Sequence, residues 1–253
     1  MPGMTGAAAT EPAGDQSTAD GEVDDSLDPG GDTQFVLDAA GGGDGSSNPC
    51  GTVLVGTLRD FDSSHPDFER DVVGEDPGIV AALLGDDGKP VYAGGTTGTT
   101  TDAAAFDQWF RDVDGVNVAL PIAFALDEET PGSFVFADGT FFPADGAGFG
   151  DQGNPHNYHF TVELRGQFEY KGGEVFTFRG DDDLFTFVNG HLGIDLGGVH
   201  LPLTRTIDMD AVADEFGLEI GETYALEFFF AERHTTLSNF RIETSIECFV
   251  PVG

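Results

Sequence analysis

Positive charge is what this sequence most lacks. Ten Lys and Arg residues stand against 46 Asp and Glu, a formal charge of -36 over 253 residues. Such a surface repels phosphate backbones and anionic headgroups, which excludes binding to nucleic acid or to an acidic membrane by electrostatics. Only Arg59, Arg70 and Lys89 precede Arg111 in the region able to fold, so an anionic ligand would find few partners. The acidity suits cation binding, and it equally suits a high-salt environment in which no site is needed. No apolar run approaches the roughly 18 residues of a membrane-spanning helix, and no basic-then-apolar export signal is present. Aromatic residues other than Phe are scarce: one Trp and four Tyr accompany 23 Phe, a balance that suits the packed inner faces of sheets.

Catalytic signatures are missing as well. No nucleophile elbow, phosphate-binding glycine loop or metalloprotease motif occurs, so an enzyme is not indicated. Asp182 and Glu232 form a conceivable glycoside-hydrolase pair, but carboxylates are so abundant here that a pair carries little information. Five of the six histidines, His156, His159, His191, His200 and His234, fall in the second half, yet none share a local transition-metal spacing. The only cysteines, Cys50 and Cys248, bracket the region able to fold. A bridge between them is expected in an exported chain and would contribute roughly 4–5 kcal/mol in the loop-entropy model.

Residues 1–49 contain ten acidic residues, no Lys or Arg, and much Gly, Ala, Ser, Thr and Pro, a composition expected to form a flexible linker rather than a core. Residues 50–253 are expected to form one domain with a substantial core. Strands are expected over 52–61, 80–84, 89–92, 116–126, 133–136, 156–165, 167–170, 175–178, 184–188, 191–196, 221–231 and 238–246. The stretch from Thr101 to Phe110, capped at Thr101 or Asp102, is the most helix-like, with Phe106, Trp109 and Phe110 at three-to-four spacing, which assigns Trp109 to the core. A second short helix or irregular turn is expected over Ile207–Phe216. Many short strands, turns rich in Gly and Asp, and little helix specify an all-β protein, an antiparallel two-sheet β-sandwich.

The most informative stretch runs from Arg179 to His200. Asp181, Asp182 and Asp183 precede the apolar strand Leu184–Val188, and Asn189-Gly190 then signals a tight hairpin. Three adjacent carboxylates repel one another unless donors or a hard, oxygen-seeking cation neutralise them, and calcium is such a cation. A solvated acidic loop is the alternative. His65 and Asp67 also carry ligand-type side chains, but Pro66 between them marks a structural turn. Glu232, Arg233 and His234 follow a strongly apolar strand, and their mixed charge points to an internal salt-bridge network. Asp195 and His200 are expected to order the loop after the hairpin.

Phe176-Thr-Phe-Arg-Gly-Asp-Asp-Asp-Leu-Phe-Thr-Phe-Val-Asn-Gly-His-Leu192, with Asp195–His200, Phe229–His234 and Ser238–Thr244, resembles the fibro-slime domain family. That family is similar to the protective-antigen-like β-sandwich domains, of jelly-roll type, which include the fungal flocculin adhesins. The resemblance covers roughly residues 54–246. It implies that an Asp-Asp pair, often joined by a cis peptide, holds a calcium ion that also contacts a sugar, and it places that pair on Asp181 and Asp182. Asp183 and Asn239 are the expected further calcium ligands, and Asn239 and His234 the expected sugar contacts beside the pair. The implied function is a secreted or cell-surface adhesive module that binds an extracellular glycan or matrix polysaccharide in a calcium-dependent way. The alternative is a structural subunit of an extracellular matrix or fibre without a sugar site, and the remote alternative is a glycoside hydrolase.

Overall fold

The computed structural model describes residues 51–71 and 73–251, so the expected linker at 1–49 lies outside the described residues. In chain order the strands are β1 (Val53–Phe61), β2 (Gly74–Glu75), β3 (Asn117–Ala125), β4 (Asp127–Thr130), β5 (Ser133–Asp138), β6 (Phe160–Glu169) and β7 (Val175–Gly180). They continue with β8 (Asp183–Val188), β9 (His191–Leu196), β10 (Gly198–Val199), β11 (Leu203–Asp208), β12 (Thr223–Glu232), β13 (Phe240–Thr244) and β14 (Val250–Pro251). Two helices, α1 (Ala103–Phe106) and α2 (Met209–Phe216), complete the elements.

Every ladder is antiparallel. One sheet runs β3-β1-β6-β12-β8-β9, with β14 also pairing β6; the second runs β11-β7-β13-β5-β4; β10 and β2 form a small separate ribbon. The sandwich core fills the space between the two large sheets, with Leu54, Leu58, Phe124, Phe160, Phe176, Phe178, Phe228, Phe230, Phe240 and Ile242 all buried. Side chains alternate across a strand, so Phe229 and Ala231 of β12 and Phe185 and Phe187 of β8 point to the opposite face. There they pack with Ile79, Val80, Phe106, Trp109 and Phe110, a second apolar cluster supplied by the segment between β2 and β3. That cover explains why β8 is buried at every position and reads as a continuous apolar run rather than an alternating one.

Most expected strands are present, with revised ends. The stretches 156–165 and 167–170 merge into one strand, β6, while 80–84 and 89–92 remain loops joined by an isolated bridge between Val80 and Tyr92. The expected helix over 101–110 shrinks to α1. Asp102 caps it, its carboxylate accepting from the Ala104 and Ala105 amides, but four residues suffice to deliver Phe106 to the cluster and turns carry Trp109 and Phe110 there. The Asn189-Gly190 hairpin joins β8 and β9 with both residues at positive φ, 50° and 76°. Trp109 is fully buried, as expected.

Candidate functional site

Asp181 and Asp182 occupy the two-residue link in which the chain leaves β7 in one sheet and enters β8 in the other, and a cis peptide joins them. Two more crossovers between the sheets lie at the same end. Residues 233–239 connect β12 to β13, and residues 197–202 lead from β9 through β10 to β11. The register places them together: Gly180 pairs with both Phe240 and Leu203, and Asp183 pairs with Ala231. Gly180 permits this approach, because a Cβ there would lie 2.6 Å from the Asn239 carbonyl oxygen.

The carboxylates are held by these neighbouring crossovers. Asp181 accepts from the Asn239 amide (2.6 Å, Oδ1) and from Asn239 Nδ2 (3.1 Å, Oδ2). Asp182 accepts from the His200 amide (3.2 Å, Oδ1) and the Arg233 amide (3.1 Å, Oδ2). Each oxygen thus has one donor and retains acceptor capacity. Burial is the largest cause raising the Asp181 pKa; it pushes that of Asp182 to about 8, with the Asp183 and Asp181 charges adding to the rise and Arg233 opposing it. At Asp182 burial thus outweighs the Arg233 charge, and at Asp181 it outweighs the Asn239 hydrogen bonds.

Asp183 is different, and corrects the expectation that it joins the calcium ligands. Its Oδ1 accepts from the Gly198 amide (2.6 Å) and its Oδ2 from Arg233 Nε (2.5 Å), in an ion pair with no solvent exposure on either side. The rest of the guanidinium donates to the Asp67 and Thr99 carbonyls and lies 4.7 Å from the Trp109 ring centroid. A permanent cation already neutralises Asp183, so no second one is called for.

Glu232 corrects the salt-bridge expectation in the other direction. Among the described residues it belongs to no ion pair; its side chain is wholly buried, and neither carboxylate oxygen has a hydrogen-bond partner. Burial raises its pKa well above the usual carboxylate range, and the nearby Asp182 and Asp181 charges raise it further. The Ser238 side chain and the His234 amide lie beside it and act against that rise, although neither meets strict hydrogen-bond geometry. No residue-type pattern marks Glu232 as an orphan; only β12's alternation, followed to its last residue, separates it from Arg233.

The other expected residues fall as follows. Asn239 is brought to Asp181. His234 turns instead toward Glu69, 3.7 Å from Nε2 to Oε2, where Glu69 also accepts from the Thr235 amide (2.9 Å). Asp67 is structural, accepting from Trp109 Nε1 (3.0 Å) and the Thr101 amide (2.6 Å). Asp195 orders the loop after the hairpin by accepting from the Gly78 and Gly197 amides, and His200 does so by donating its backbone N–H to the Asp182 carboxylate. Asp182 lies near enough to raise the Glu232 pKa, and Glu232 has no solvent exposure. Cys50 lies outside the described residues; Cys248 is not a free thiol, and its neighbour Phe249 exchanges two backbone hydrogen bonds with Gly51, of 3.3 and 2.8 Å. No three His, Cys, Asp or Glu side chains among the described residues are drawn together as a ready-made metal cage, and no helix among them is long and apolar enough to cross a membrane.

The stretch containing the second and third crossovers, the Asp pair, Glu232 and Asn239 also carries the sequence similarity. Residues 149–248 match the PA14 domain. Two Dictyostelium discoideum proteins are also similar to this chain. Protein psiR is 37% identical over 202 residues, covering 73% of this chain and 20% of psiR, and protein psiD is 37% identical over 215 residues, covering 78% of this chain and 42% of psiD. The chain thus spans less than half the length of these relatives. A solved structure described as a PA14 sugar-binding domain from an RTX adhesin aligns over 80% of this chain and 96% of its own at 13% identity, with a TM-score of 0.34, too distant to bear on ligand or site.

Proposed function

We propose that this chain is a fibro-slime-type variant of the PA14 module, acting outside the cell or on its surface as a calcium-dependent adhesive unit for a glycan or matrix polysaccharide. The observation that carries the reading is the Asp181–Asp182 link, two buried carboxylates with raised pKa values at the meeting of three crossovers. Their oxygen chemistry fits a hard cation. Asp181 and Asp182, with Asn239 at hand, would hold calcium. The ion would supply neutralising charge and coordination positions open to vicinal hydroxyls. The rim is not purely polar: Leu201 and Leu237, one residue from His200 and two from Asn239, are exposed, and apolar rim groups suit the C–H faces of a sugar.

Glycan-array binding with calcium and with chelator tests the reading. Binding that calcium enables and chelator removes is expected; a chain that binds no glycan in either condition defeats the sugar assignment. A structural role is favoured by one observation, the near-complete burial of Asp181 and Asp182 at 3% and 6% exposure. In that case calcium would stiffen the crossovers without touching a sugar, and calcium would raise stability while the array stayed blank.

A further inference from the structure

We propose that the ring stack of Phe142 and His156, on the loop joining β5 to β6, is a sugar-stacking subsite that takes the next unit of a neutral pyranose chain whose first unit sits at Asp181 and Asp182; this rests on the glycan reading above.

The chain path brings the stack to the crossover. Phe240 of β13 pairs with Asp138 of β5, and the continuations of the two strands stay together beyond that pair. The Phe141 amide donates to the Ser238 carbonyl (2.9 Å), and a Cβ on Gly139 would lie 3.9 Å from Asn239 Oδ1. Residues 238 and 239 therefore run between Asp181, which Asn239 binds on one side, and residues 139–142 on the other. Phe141 is buried in the sandwich core, whereas Phe142 is partly exposed. The spacings of neighbouring residues and strands put Phe142 on the order of 10 Å from Asn239, a span that two linked pyranoses cover. Exposed Leu237 belongs to the intervening segment.

The stack is held as a platform. The two rings lie 7° from parallel with centroids 4.0 Å apart, and the Tyr158 ring meets Phe142 edge-on at 5.0 Å and 78°. Phe142 thus backs one face of the imidazole, while the His156 side chain keeps 42% of its surface exposed. Asp145 fixes the ring: its Oδ2 lies 2.8 Å from His156 Nδ1, and its Oδ1 accepts from the Asn157 amide (2.7 Å). A carboxylate only accepts, so Nδ1 carries the proton and Nε2 is left as an acceptor, with no partner among the described residues. Asn157 Nδ2 in turn donates to the buried Asp60 carboxylate (2.6 Å) and the Ala144 carbonyl (3.3 Å), so the loop is ordered before a ligand arrives.

A flat aromatic face with an acceptor at its edge complements a pyranose. The axial C–H groups rest on the ring, and a hydroxyl at the sugar's rim donates to Nε2. A formal charge of -36 disfavours uronate and sulfated chains, which leaves neutral ones. One exposed ring face serves one sugar unit, so the subsite adds affinity only when the ligand also reaches the crossover.

Amide and histidine-ring NMR titration of the full chain in calcium tests this, comparing cellotetraose, β-1,4-galactotetraose and β-1,4-mannotetraose with glucose, galactose and mannose. At least one tetrasaccharide should bind about tenfold or more tightly than its monosaccharide and shift the His156 ring resonances, identified by their absence in His156→Phe. His156→Ala should weaken that tetrasaccharide about fivefold and leave the monosaccharide within about twofold, while His156→Phe, which keeps a flat face, should lose less. Tetrasaccharide binding that His156→Ala leaves unchanged overturns the subsite and leaves the glycan reading at Asp181 and Asp182 standing, as does equal affinity for tetrasaccharide and monosaccharide. No binding of any of these sugars overturns both. Should His156→Ala fail to fold, the wild type decides alone: tetrasaccharide binding that does not move the His156 ring resonances sinks the subsite.

Discussion

Arg233 and Asp183 form an ion pair from which solvent is wholly excluded, 2.5 Å from Nε to Oδ2, with the guanidinium stacked 4.7 Å from the Trp109 ring centroid. The same guanidinium donates to the Thr99 and Asp67 carbonyls, so one side chain ties the end of β12 to two loops of the outer cover. Removing one partner of a buried pair leaves the other as an uncompensated charge. Arg233→Gln should therefore cost about 3–5 kcal/mol, as measured by urea denaturation. A loss below about 1 kcal/mol would mean that Asp183 finds another counter-charge.

Calcium should stabilise the chain by linkage. At 100 times the dissociation constant a single site adds about 2.7 kcal/mol, read as a rise in melting temperature that chelator reverses. Asp181→Asn with Asp182→Asn should abolish the rise. Asp62→Asn should leave it intact, since that carboxylate serves only the exposed Ser64 turn. An unchanged melting curve between millimolar calcium and chelator would sink the ion site and with it the main physical support for a calcium-dependent adhesin.

Asp76 organises the loop after β2. Burial would raise its pKa, but the amides of Thr97, Thr96 and Thr99 and the Thr99 hydroxyl outweigh that and hold it down to about 2. A depressed folded-state value means that the unfolded chain binds the proton more readily, so the stabilisation is present above the unfolded value of 3.8 and is lost as pH falls toward 2. Asp76→Asn should flatten the acid limb of the stability curve between about pH 4 and pH 2. An acid limb identical in the variant would refute this account.

Gly180→Ala should loosen the crossover that carries Asn239. The new Cβ would meet the Asn239 carbonyl oxygen at 2.6 Å and the Phe178 ring at 2.7 Å, inside van der Waals contact, and overpacking of this sort costs about 1–3 kcal/mol. Gly51→Ala is the control, its nearest neighbour being the Val53 amide nitrogen at 3.9 Å. Thermal melts of the two variants should separate clearly; equal melts would show that the crossover yields without cost.

Cys248 and Cys50 are proposed to be bridged, because Gly51 and Phe249 pair directly through their backbones and Cys248 is not a free thiol. Peptide mapping without reduction should recover the two cysteine peptides joined, and Cys248→Ser should cost about 2–5 kcal/mol. Recovery of both as free thiols in exported protein would count against the bridge.

Much of the fold is legible in short-range pattern. Period-two alternation in β13 and the Asn189-Gly190 turn each have a local physical cause, so they survive whatever packs around them, whereas the helix suggested by Phe106, Trp109 and Phe110 shrinks to four residues. The cis link between Asp181 and Asp182 was legible as well, through the motif around it. The fates of the charged residues at the strand ends were not. Asp183 and Glu232 carry the same charge beside the same apolar runs, yet one has a buried arginine and the other has no partner among the described residues. That difference arises only when β8 and β12 lie side by side with one face of the sheet covered by the 76–113 segment and the other by the second sheet. Composition supplied the acidity; the sandwich decided which of its carboxylates met an arginine and which did not, because counter-charge in a dry interior depends on which face of a strand a side chain occupies.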